Sequence, residues 1–140
     1  MASTASLSLI SDLTNDATGI STSTTLVKAG SSTTNLDQFT GVETIVFSAT
    51  KTAEPIVLAA DYADTNVAHK VYIRNATPSN ISTTVFVRIE FGGSNISLGL
   101  LYPGDWAFLP YDGTLDIDID TSESNCHVEV AVLSQSVATT

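Results

Sequence analysis

Three aspartates, Asp116, Asp118 and Asp120, alternate with Leu115, Ile117 and Ile119. On a strand they project from one face, roughly 6.5–7 Å apart along it. The oxygen ligands of calcium lie within about 2.6 Å of one ion, so a straight row of carboxylates cannot converge on one. A calcium-hand loop also needs a central glycine and a glutamate at its twelfth position. His127 stands there, counting from Asp116. The row is expected to be a solvated polar face, relieved of its own repulsion by water or by basic groups of a partner. The two histidines, His69 and His127, fall in different strand regions and form no His-x-His pair, so a cupin-type metal centre is not expected. There is no Gly-x-Ser-x-Gly elbow for a nucleophilic serine. Gly92-Gly93 reads as a hairpin turn, not a phosphate loop. Asp105 and Asp112 flank Trp106 and Tyr111 and could in principle form a glycosidase pair, although both sit where turns favour aspartate. The single cysteine, Cys126, has no internal disulfide partner and reads as a small buried apolar residue. Neither enzymatic activity, nor a metal, nor a cofactor is expected from these residues.

The elements that carry them are strands. From residue 41 the chain shows short runs of β-branched and aromatic residues at roughly 8–12-residue spacing, with turn signals between them. The expected strands are 42–47, 55–60, 70–74, 84–91, 96–100, 106–109 (stopped by Pro110), 115–120 and 128–133. Residues 61–65 read as a turn or one helical turn. Val85, Val87, Ile89 and Phe91 share a face, and so do Val71 and Ile73. Gly92-Gly93-Ser94-Asn95, Pro103-Gly104 and Asp112-Gly113 supply turns. The pattern predicts an all-β fold, a β-sandwich or jelly-roll-like domain over residues 41–136, with a short tail at 137–140. Trp106 and Phe108 share a face and are expected to fill the core. Tyr102 and Tyr111 are expected on an exposed rim for a sugar or a protein partner.

Residues 1–40 differ. They hold much of a chain total of 17 serines and 20 threonines, and no aromatic precedes Phe39. Low apolar density argues against a separate core. The short apolar pieces Leu7, Leu9, Ile10 and Leu26, Val27 suit an extended N-terminal arm that pairs with another sheet. The candidate interface is therefore these five residues with Tyr102, Tyr111, Asp116, Asp118 and Asp120.

The charge balance narrows the partners. Fifteen acidic and five basic side chains give a formal net charge of -10. Phosphate neutralisation needs a basic stripe, so nucleic acid is not an expected partner. An anionic membrane is disfavoured for the same reason. No stretch approaches the roughly 20 apolar residues of a membrane span, and the N-terminus does not read as a secretory signal. Charged residues are 14% of the chain, below the roughly 25% of typical domains, which suits a surface that meets other proteins. Three Asn-x-Ser/Thr sequons, at Asn75, Asn80 and Asn95, are expected by chance in so hydroxyl-rich a chain.

The stretches Lys70-Val71-Tyr72-Ile73-Arg74-Asn75, Leu100 through Pro110 with its Leu-Tyr-Pro-Gly-Asp turn, and Leu115-Asp116-Ile117-Asp118-Ile119 together resemble small β-rich virion proteins of tailed phages. The resemblance spans about residues 66–135 and is one of strands and turns, without a catalytic motif. It implies a capsid decoration or cement protein, made in the host cytoplasm and placed on the capsid exterior. It further implies a homo-oligomer, a trimer, with the major capsid protein or another virion protein as partner. The alternative is a carbohydrate- or receptor-binding module of a phage tail or fibre.

Overall fold

The computed structural model describes residues 3–11, 18–64, 66–93 and 96–138. The chain divides into two units, one of residues 38–134 and one that joins the described residues up to 37 with those from 135.

The larger unit is an all-β sandwich. Its strands are β3 (Gln38–Phe39), β4 (Glu43–Phe47), β5 (Glu54–Val57), β6 (Ala68–Asn75), β7 (Val87–Phe91), β8 (Ile96–Leu101), β9 (Trp106–Tyr111), β10 (Ile117–Thr121) and β11 (Cys126–Gln135). One sheet runs β5-β10-β7-β8; the other runs β3-β11-β6-β9, with β4 also paired to β11. From β4 onward the chain fills two layers, β4-β11-β6-β9 and β5-β10-β7-β8. That order is the connectivity of a jelly roll. The pairs β10–β5, β10–β7, β7–β8, β11–β3, β11–β4 and β6–β9 are antiparallel.

Alternation explains why these segments fold this way. Val71 and Ile73 of β6, Val87 and Ile89 of β7, Ile117 and Ile119 of β10, and Val128, Val130 and Val132 of β11 meet in one interior. Burying each such side chain contributes about 1.5–3 kcal/mol. Asn75 is also fully buried. Its Nδ2 donates to the carbonyls of Val85 at 3.0 Å and Leu101 at 2.9 Å, and its Oδ1 accepts from Thr77 N–H at 3.2 Å. Its own backbone exchanges bonds with the turn after β8: Asn75 N–H reaches the Asp105 carbonyl, and Gly104 N–H reaches the Asn75 carbonyl. The Asn after one strand and the Pro-Gly-Asp turn after another are thus a single structural clasp.

Several expectations change in detail. Pro110 does not stop its strand: β9 continues to Tyr111 with Pro110 opposite Lys70. β9 lies at a sheet edge, where the missing N–H of proline leaves no ladder bond unmade. The helical turn is a 3-10 turn at Ala59–Asp61, slightly earlier than expected. Gly113 has φ +74°, and a Cβ there would lie 2.0 Å from the Tyr62 carbonyl oxygen, so this turn excludes any side chain.

In the smaller unit the N-terminal segment is extended but folded back on itself. β1 (Ser3–Ser11) and β2 (Thr18–Leu26) form a two-stranded antiparallel ribbon in continuous register from Ser3↔Leu26 to Ser11↔Thr18. The boundary expected at residue 40 falls at 37, and the tail expected from 137 begins at 135 and belongs with the N-terminal residues. Backbone bonds explain that placement: Ala29 N–H donates to the Ser136 carbonyl at 2.9 Å, and Ala138 N–H to the Ala29 carbonyl at 2.8 Å. Asp37 accepts from Ser136 N–H at 2.6 Å and pairs with Lys28 at 2.8 Å. The Lys28 contact, helped by Ser136, holds the Asp37 carboxyl at about 2.

Candidate interface

The outward face of the β4-β11-β6-β9 layer carries the aromatics. Along β9, Trp106, Phe108 and Pro110 are exposed, while Ala107 and Leu109 are half-buried and Tyr111 is buried. Ala107 packs against the core and Tyr111 belongs to it, so the register turns Trp106 and Phe108 outward. Trp106 is 47% and Phe108 38% exposed, which corrects the expectation that they fill the core. Trp106 lies opposite Arg74 and Phe108 opposite Tyr72. Tyr72 Oη donates to Glu129 Oε2 at 3.1 Å, and Arg74 lies 3.7 Å from Glu129 Oε1. Exposed Val46 extends the face on β4, opposite His127. Trp, Tyr and Arg are the residue types that dominate binding energy at protein interfaces.

The outward face of the other layer carries the acids, and it is not the solvated row the sequence suggested. Asp118 is 4% exposed, and Asp116 and Asp120 are half-buried. Each carboxylate holds a distant backbone amide. Asp116 Oδ1 accepts from Ala59 N–H at 2.7 Å, Asp118 Oδ2 from Gly93 N–H at 2.5 Å, and Asp120 Oδ1 from Ala53 N–H at 2.7 Å. Asp120 also meets Arg88 at 3.4 Å, its partner across the strands. Glu90, directly opposite Asp118, is itself 3% exposed. Ala53 has φ +48°, a left-handed conformation that alanine adopts at a cost, and the Asp120 bond fixes it there. The three aspartates anchor loops. That role removes Asp118 from the candidate interface, because it is buried.

The remaining candidates divide. Tyr102 is 49% exposed and sits edge-on to Phe86, with ring centroids 6.4 Å apart. Tyr111 is not on a rim. It is buried, its Oη donates to the Leu115 carbonyl at 2.7 Å, and burial followed by Asp116 and Asp112 pushes its phenol up to about 12. Leu7 is exposed; Leu26 and Val27 are buried and present no contact surface. The side chains of Leu9 and Ile10 lie outside the described residues, as do Ser94 and Asn95 of the hairpin turn.

The geometry also places the residues weighed for chemistry. Asp105 and Asp112 bracket β9, about seven residue steps and roughly 23 Å apart on an extended strand. Glycosidase carboxylates stand about 5–9.5 Å apart. Each aspartate closes its own turn: Asp105 accepts from Tyr102 N–H at 2.9 Å, and Asp112 from Thr114 N–H at 3.0 Å and Thr114 Oγ1 at 2.7 Å. The Thr114 bonds hold the Asp112 carboxyl below its usual range. His69 is buried with its Nδ1 2.9 Å from Ser134 Oγ. His127 alternates with buried Cys126 and Val128 and points the other way, so the two histidines lie on opposite faces of their sheet. Cys126 is fully buried, as expected, and burial pushes its thiol up. Among the described residues, no group of three or more His, Cys, Asp or Glu side chains is arranged to hold a metal. The face built by Trp106, Phe108, Tyr72 and Arg74 is suited to contact, through ring stacking and charge-assisted hydrogen bonds. Comparison with protein-family models, curated proteins and solved structures finds no match for the chain.

Proposed function

We propose that the protein is a non-enzymatic structural component of a virion, a decoration or cement protein that ties together the shell of a tailed phage. The observation that carries this reading is the β1–β2 ribbon. It is two-stranded, and its described side chains outside Ala5 and Leu26 are exposed on both faces. A two-stranded ribbon is marginal by itself in water, and its outer edges offer backbone groups to a further strand. A jelly roll bearing such a ribbon suits a protein that completes its structure on a neighbour. Strand pairing would supply the hydrogen bonds, and several ribbons on one shell would hold more firmly than any single contact. The proposed partner is the major capsid protein or another virion protein. The proposed state is a homo-oligomer, a trimer by the same resemblance that suggests the virion.

The test is co-sedimentation with assembled shells, followed by thermal rupture of shells with and without the protein. Binding with a raised rupture temperature is expected. No binding together with equal rupture temperatures would end the cement reading. A carbohydrate- or receptor-binding role in a tail or fibre is the second reading, favoured by the exposed Trp106 and Phe108. A glycan panel decides it: ring-stacking ligands lost in Trp106→Ala would promote that role.

A further inference from the structure

At one end of the sandwich, the ends of β6, β7 and β9 border an open hollow of about 490 Å³. His69, Phe91, Pro110, Tyr111 and Leu115 form its walls, and Asp112 stands at its edge. The floor is rigid. Tyr62, His69 and Tyr111 interlock with centroids 5.3, 6.2 and 6.3 Å apart, and Gly113 permits the close approach of the Tyr62 backbone.

The carboxylate among the described lining residues is Asp112. Asp112 is exposed at the edge, and Asp116 and Asp118 act on Tyr111 from β10 and the turn before it. The lining includes no lysine or arginine. Lys70 lies opposite Pro110, on the outward face of the sheet. A purely apolar occupant would leave the exposed Asp112 carboxylate without a partner other than Thr114 and water. A basic side chain would cover the apolar walls with its stem and bring its cation to the carboxylate and the rings. The net charge of -10 draws such groups toward the protein.

We propose that this pocket receives a basic side chain, an arginine or lysine presented by the protein on which the chain assembles. The proposal rests on the assembly reading for the source of that side chain, but the pocket itself is testable without any shell. The probe is N-acetyl-argininamide, titrated into the isotope-labelled protein and followed by amide chemical shifts, with N-acetyl-citrullinamide as the uncharged isostere. Saturable shifts at residues 68–69 and 111–115 are expected, with the arginine probe about five- to tenfold tighter than the citrulline probe. Asp112→Asn keeps an acceptor for Thr114 and should reduce the arginine probe to the citrulline level without changing the melting temperature. Equal affinity of the two probes would overturn the proposal. So would shifts scattered over the acidic surface that survive Asp112→Asn. In the shell assay, loss of binding in Asp112→Asn supports the pocket as the docking element, and unchanged binding overturns it. A pocket that takes arginine on a protein that binds no shell would refute the assembly reading and leave the basic-ligand site standing.

Discussion

The two outward faces of the jelly roll invert the usual rule. One leaves a tryptophan and a phenylalanine in solvent; the other draws aspartates out of it. The aspartate strand alternates strictly, whereas β9 is apolar at every position, so patterning alone does not say which way its rings point. What separates the two faces is the partners their side chains find. Ala53 and Ala59, on either side of β5, and Gly93 after β7 offer amide donors, which the aspartates accept. Among the described residues, no such bond ties up Trp106 or Phe108. Polar side chains become structural where backbone donors need acceptors, and aromatic ones become available where the register points them away from the core.

The largest expected effect tests whether the two layers act as one body. Asn75 on β6 binds carbonyls just before β7 and at the end of β8, which belong to the opposite layer. Asn75→Ala leaves three buried backbone groups unpaired and should cost about 3–4 kcal/mol, read by denaturant unfolding. A loss under about 1 kcal/mol would mean that the clasp is redundant.

Next comes the acid face. Asp118→Ala should cost about 2–3 kcal/mol, because a charged acceptor for Gly93 N–H is lost. Asp118→Asn keeps an acceptor and removes a like charge opposite Glu90, so it should cost less than half as much. If both substitutions were neutral, the aspartate row would be surface after all.

The aromatic face should behave in the opposite way. Trp106→Ala and Phe108→Ala should each shift stability by less than about 1 kcal/mol, as for exposed positions. They should nevertheless weaken whatever contact that face makes. A loss above about 2 kcal/mol in isolated protein would show that these rings support the fold.

The smallest effect sharpens the comparison by reversing its sign. Ala53 is held at positive φ by Asp120, a conformation glycine adopts without penalty. Ala53→Gly should raise stability by about 0.5–1 kcal/mol, the relieved strain exceeding the added chain entropy. Destabilisation in the melt would mean that the strain is negligible there.

How much of this the sequence disclosed follows from the same contrast. Short β-branched runs located β6, β7, β10 and β11, and alternation put Val71 with Ile73 and Val87 with Ile89 on shared faces, because it sorts side chains into two sets. It does not say which set faces inward. On β9 the rings outweighed Ala107 and Tyr111 in that judgement, and the register chose otherwise. The aspartate anchors were not legible, since their donors lie 25, 57 and 67 positions away. The composition changes near Phe39, and the two compact units of the structure meet between residues 37 and 38. The ribbon was missed because a threonine- and serine-rich strand carries little hydrophobic pattern to show that it doubles back.

The position of β11 in the chain has a kinetic consequence. It is the last strand in chain order, yet it lies at the centre of its sheet between β6 on one side and β3 and β4 on the other. Cys126 pairs with Phe47, and Leu133 with Phe39, across most of the sequence. While the ribosome is still extending the chain, the first half of the sheet has no middle to close upon. Val71, Ile73 and Phe47 must wait, half-covered, until residues 126–135 emerge. Sandwiches dominated by such distant pairings fold in milliseconds to seconds. The interval is long enough for a chaperone, or a second copy's β11, to reach the gap first.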